Sequence, residues 1–133
     1  MKLFTVDQAN ATLPLVRRIV ADVVRQHAVW REKILELDLV ASGGAADDQK
    51  ADTVRLEHEV QALAREIAGF QRELGALGIE MKDPRLGLID FPTDMNGRRV
   101  LLCWRLNEPE VQFWHEVDAG YSGRQPLAPL LVG

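Results

Sequence analysis

Two apolar stripes of equal length and the same rhythm constrain this chain more than any other feature. The first reads Val16, Val20, Val23, His27, Trp30, Ile34 and Leu37; the second reads Leu56, Val60, Leu63, Ile67, Phe70, Leu74 and Leu77. In both, steps of four and three alternate, giving a period of about 3.5 residues, the spacing that keeps one helix face turned toward a neighbouring helix. Ser42, Gly43, Gly44, Asp47 and Asp48 separate the stripes with residue types that do not favour helix. Matched stripes across a short break predict a long antiparallel helical hairpin of the coiled-coil kind.

The ends of the hairpin carry their own signals. Thr5 followed three residues later by Gln8 has the capping-box spacing, predicting a short helix over Val6 to Ala11. Thr12 can cap a second helix, with Pro14 in its first turn where no amide donor is needed, and that helix runs to about Val40. At the far end, Gly78 suits the left-handed position after a C-cap, with Ile79 folding back on Leu74 in a Schellman arrangement.

A two-helix hairpin buries one stripe per helix, too little to offset the entropy of ordering both, so a second layer is required. The residues after Gly78 supply it. Leu88 to Phe91 and Val100 to Leu106 read as antiparallel strands around a turn containing Pro92, Asp94, Asn96 and Gly97, with a further strand near Ile79 to Lys82. Alternation places Val100, Leu102, Trp104 and Leu106 toward the helices, and Leu101, Cys103 and Arg105 on the other face. Asn107 with Glu110 has capping-box spacing for a last short helix ending at Gly120, with Val111 and Trp114 inward. The apolar tail from Pro126 to Gly133 reads as extended chain lying in a groove. The expectation is an α+β fold in one domain over residues 1–133, with the hairpin at 5–78 and a β-hairpin, short helix and tail at 79–133.

The 133 residues carry a net charge of −4, which argues against nucleic acid or an anionic membrane as main partner. Cys103 is the only cysteine, so no internal disulfide forms and a cytoplasmic location is expected. No apolar run has the length of a signal-peptide core or a membrane span.

Reactive side chains concentrate between Cys103 and Arg124. Glu108 and His115, seven residues apart, share a side if the segment is helical, and Asp118 lies three beyond. A carboxylate beside an imidazole can tune it for acid–base work. Arg105 and Arg124 have the forked donors that suit an anionic group, with Tyr121, Gly120 and Gly123 beside them. The same residues also suit caps and ion pairs that hold a short element on a sheet. A metal set of Cys103, His115 and Asp118 matches no compact zinc or iron spacing, so no metal site is expected, and the residues specify no cofactor. Cys103 in a strand reads as a small buried residue. His27 reads as a seam histidine, and the stripes lack the inward carboxylates of a di-metal bundle.

The opening FTVDQANATLP, then GLIDFP and the run GRRVLLCWRLNEPEVQFWHEVDAGYSGRQPL, resemble a bacterial family known as domain of unknown function 2203. The resemblance implies that Cys103, Trp104, Arg105, Glu108, Trp114, His115, Gly120, Gly123 and Arg124 belong to a family pattern; it brings no substrate, cofactor or catalytic residue. Two functional expectations follow. The first is a homo-oligomeric scaffold or binding module, a dimer foremost, taking a small anionic ligand or a protein partner at the Arg105 to Arg124 surface. The second is a small enzyme with His115 as general acid or base, oriented by Glu108 or Asp118.

Overall fold

The structure, a computed structural model, describes residues 1–43 and 47–128. Two long helices, α1 (Val6–Ser42) and α2 (Asp47–Ala76), precede five strands: β1 (Glu80–Asp83), β2 (Leu88–Met95), β3 (Arg98–Arg105), β4 (Phe113–His115) and β5 (Gln125–Pro126). The strands form one antiparallel sheet in sequence order, a meander without crossovers. This is the expected α+β class with its helical hairpin. Every position of both stripes is buried or half-buried, and Lys33 reaches Glu59 across the hairpin at 3.1 Å. His27 sits against the Trp30 ring with centroids 5.5 Å apart; burial, then the Arg31 charge, lowers its pKa.

Both predicted caps form. The Thr5 hydroxyl accepts from the Gln8 amide and the Gln8 side chain accepts from the Thr5 amide, each at 3.0 Å. At Gly78 (φ 86°) the Ile79 amide donates to Leu74 O and the Gly78 amide to Gly75 O, the paired bonds of a Schellman end. Pro14 does not divide the first helix as expected: α1 runs unbroken through it. Ala9 and Leu13 on one side of the proline and Val16, Ile19 and Val20 on the other bury into one core, so continuous packing outweighs the lost backbone bond.

The sheet corrects three further local expectations. The β2–β3 turn is only Asn96–Gly97, both at positive φ, with Met95 paired to Arg98, the geometry of a two-residue hairpin turn. Pro92 therefore lies within β2. Its carbonyl accepts from the Phe4 amide at 2.8 Å; since N and O of a strand residue point the same way, its missing N–H faces away from β3 and no ladder bond is lost. No helix spans Asn107 to Gly120. Asn107 turns the chain at φ 83°, Phe113–His115 pairs with β3, and a three-residue helical turn, Tyr121–Gly123, follows β4. The capping spacing lost to tertiary pairing: Trp114 buries against the core as a strand residue beside Leu102. The tail is strand at Gln125–Pro126, and residues 129–133 lie outside the described set, as does Gly44 of the inter-helix break.

The core joins the proximal half of the hairpin to one face of the sheet: Val16, Val20 and Leu74 meet Ile89, Phe91, Val100, Leu102 and Trp104. Gly87 sets how closely they approach. It has φ 70°, and a Cβ there would lie 2.8 Å from Leu106 Cβ and 3.0 Å from both Val20 Cγ1 and Val24 Cγ2. Gly87→Ala combines positive-φ strain with overpacking between sheet and helix and should destabilise by about 2–5 kcal/mol in urea unfolding. An unchanged midpoint would show that the layers are not this closely packed.

Candidate functional site

Alternation along β2, β3 and β4 sends Ile89, Phe91, Val100, Leu102, Trp104 and Trp114 toward the helices and Asp90, Cys103 and His115 to the opposite face. A sheet with helices on one side ordinarily meets water on the other. Here that face is sealed: Asp90 and Cys103 are 0% exposed and His115 1%. Residues 116–124 turn back along it. The Arg124 guanidinium lies 4.0 Å from the Phe113 ring centroid and 4.9 Å from that of Tyr121, and its Nη2 donates to Cys103 O at 3.4 Å.

Asp90 pairs with Cys103 in the β2–β3 register, while His115 on β4 pairs with Leu101. Asp90 and His115 are thus separated by a whole strand, about 9–10 Å of sheet, yet His115 Nε2 lies 3.0 Å from Asp90 Oδ1. They reach each other over Cys103, whose small side chain leaves room. Donor atoms of all three residues lie within 4.8 Å of one another.

The second ring nitrogen fixes the proton count. His115 Nδ1 is 2.7 Å from Glu116 O; a carbonyl only accepts, so Nδ1 carries hydrogen. In the neutral ring Nε2 is then a bare lone pair, facing a carboxylate that also only accepts. One more positive charge must sit between them: a proton making the ring imidazolium or the acid neutral, or a metal ion. Asp90 Oδ2 is buried and has no hydrogen-bond partner among the described residues, as is true of Arg124 Nε.

The other predicted residues form a separate clamp. Glu108 follows the end of β3, where its Oε1 accepts from the Arg105 amide at 2.7 Å and from Arg124 Nη2 at 2.6 Å. Burial works to lower the Arg124 pKa, and the Glu108 pairing reverses it to a net rise. Arg105 Nη1 donates to the Tyr121 hydroxyl at 3.1 Å. Gly120 stands at φ 67°, and a Cβ at Gly123 would lie 2.6 Å from Ala119 Cβ, so the turn closes only without one. Asp118 is exposed in the turn after β4. Without the expected helix, Glu108 is spent on the arginines, and the carboxylate on His115 is Asp90. The signal for Asp90 was a lone charge inside the apolar strand Leu88–Phe91, a buried acid that demands a partner.

Fold and site define an α+β protein whose helical hairpin covers one face of an antiparallel meander, while its own C-terminal segment seals a polar triad onto the other. The chain belongs to the family described as uncharacterized conserved protein DUF2203, whose model matches residues 2–127. No curated protein and no solved structure gives a significant match.

Burial, then the negative charge of Asp90, pushes the Cys103 thiol up to about 12, against a smaller opposing effect of Arg124. As an acid whose folded pKa exceeds its unfolded one, it withdraws stability as pH rises from the ordinary thiol value toward the folded one. At neutral pH it is an inert thiol. Iodoacetamide should label Cys103 only after denaturation; rapid labelling of the native protein at neutral pH would contradict this placement.

Proposed function

We propose that this protein is a homo-oligomeric scaffold or binding module, a dimer foremost, assembled through the distal half of its hairpin. The observation that carries this reading is the contrast between the two halves. Buried positions of α1 end at Val23, and beyond the sheet the two helices pack, among the described residues, against each other. There Leu35 and Leu39, one turn apart on α1, are 64% and 75% exposed, and Val54 on α2 is 52% exposed. A second copy bringing the same face about a two-fold axis covers such residues and makes a four-helix core. Interspersed Arg31, Glu32, Lys33, Glu36 and Asp38 on α1 and Lys50, Asp52, Arg55 and Glu57 on α2 suit self-association without single-sign repulsion.

On this reading the C-terminal clamp is the face presented to partners. Half-buried Arg105, beside exposed Tyr121 and Gly120, is the donor an anionic small molecule or an acidic partner surface would meet, with Arg124 and Gly123 behind it. A cytoplasmic location accords with the single thiol, and neither helix is long and apolar enough to cross a membrane. The enzyme alternative has less support, because a general acid or base must reach its substrate and both His115 nitrogens are engaged inside the protein.

Sedimentation over a wide concentration range tests the assembly. The protein should sediment as a dimer, and Leu35→Glu combined with Leu39→Glu should give a monomer of unchanged helicity, since both positions face solvent within one chain. A wild-type protein that stays monomeric at every concentration would overturn the reading.

A further inference from the structure

The sealed triad uses none of the surfaces invoked for assembly, and its His115–Asp90 contact requires a cation, a proton or a metal, between the two. We propose that Asp90, Cys103 and His115 form a binding site for one zinc-class divalent ion per chain. Four observations converge on it. The three side chains present a carboxylate, a sulfur and an imidazole nitrogen, the donor types that zinc takes, with donor atoms within 4.8 Å of one another. His115 Nδ1 is held by Glu116 O at 2.7 Å, the outer contact that turns a ligating imidazole and leaves Nε2 as the donor. Nε2 and Asp90 Oδ1, two acceptors in the neutral ring and ionised acid, face each other at 3.0 Å. Asp90 Oδ2, on a side chain that is 0% exposed, has no partner among the described residues.

Around a tetrahedral zinc with bonds of roughly 2.0–2.3 Å, neighbouring ligand atoms stand about 3.5 Å apart. From separations of 3.0 Å between Nε2 and Oδ1 and of up to 4.8 Å within the triad, the donors need shifts of roughly 0.5–1.3 Å to reach that geometry, within reach of side-chain torsions. The donors come from adjacent strands of one sheet, which holds their backbones in register. Sulfur and imidazole select a borderline-soft ion over magnesium or calcium, which prefer all-oxygen shells.

Charge balances without a change in the buried total. Metal-free, the site holds the Cys103 thiol proton and the proton shared by Asp90 and His115. Zinc displaces both, so the dication replaces two protons among the same three groups, and two protons leave to solvent. The charged groups facing the triad from the covering segment are Arg124 and, through it, Glu108, paired at 2.6 Å; they form a near-neutral couple that does not oppose the exchange.

The test uses the full-length wild-type protein, freed of metal and carrying no histidine tag, with Zn²⁺ and Co²⁺ as probes. Each is added both to the folded protein and during refolding from denaturant, to allow for a site closed to solvent. The expected result is one Zn²⁺ per chain by native mass spectrometry, about two protons released on binding in calorimetry across two buffers, and a thiolate-to-cobalt charge-transfer band. Because Cys103 is the only cysteine, that band identifies the ligand without a variant. Cys103→Ser should lose the band, and Asp90→Asn should weaken zinc binding at least tenfold. No stoichiometric binding under either protocol, a bound cobalt without the thiolate band, or binding equally tight to Mg²⁺ would overturn the site. Neither result bears on the dimer, which is read by sedimentation alone.

Discussion

A carboxylate and an imidazole meeting over the middle strand hold the C-terminal third in its shape. Asp90 belongs to β2 and His115 to β4, so their contact ties the two neighbours of β3 together from outside the backbone ladder. It is made in the interior, where removing one member strands the other and costs about 3–5 kcal/mol. The short strand β4, three residues long, gains from this tie an anchor its few ladder bonds would not give. The return of residues 116–124 over the sheet follows, because the carbonyl that orients the ring belongs to Glu116.

That return produces a sheet covered on both faces in so small a chain. On one face the cover is the hairpin, through a continuous apolar core; on the other it is a short segment fastened by polar contacts and by Arg124 stacked on Phe113 and Tyr121. Both covers meet at the end of β3. The Trp104 indole donates to Glu108 O at 3.0 Å, the Val111 amide donates to Asn10 Oδ1 at 2.7 Å, and Arg17 donates to Pro109 O at 3.0 Å. The loop after β3 is thus tied to α1 as firmly as to the sheet. Among the described residues no such second layer meets the distal hairpin, where Leu35 and Leu39 stay exposed.

Much of the architecture was legible because it depends on periodicity and on local caps. The stripes, the Thr5–Gln8 box, the Gly78 end and the inward face of β3 need only neighbours in sequence. Failures came where distant contacts overrule local preference. Pro14 breaks helices, yet a common core spans it; Asn107 and Glu110 have capping spacing, yet Trp114 gains more by pairing beside Leu102. The site followed the same division. Arg105, Glu108, Tyr121 and Arg124 do come together, as their proximity in sequence suggested. His115 was drawn toward Glu108 and Asp118 by a helix that does not form, and Asp90, its contact from β2, is visible only through strand register.

The nitrogen of His115 that carries hydrogen decides the chemistry of the buried triad, and long-range ¹H–¹⁵N NMR of ring-labelled protein reads it directly. A protonated Nδ1 that exchanges slowly with solvent is required by its contact with Glu116 O, whatever cation lies between Nε2 and Asp90. A neutral ring with hydrogen on Nε2 and a bare Nδ1 would remove the two-acceptor confrontation, and with it both the need for a buried cation and the basis for the metal site.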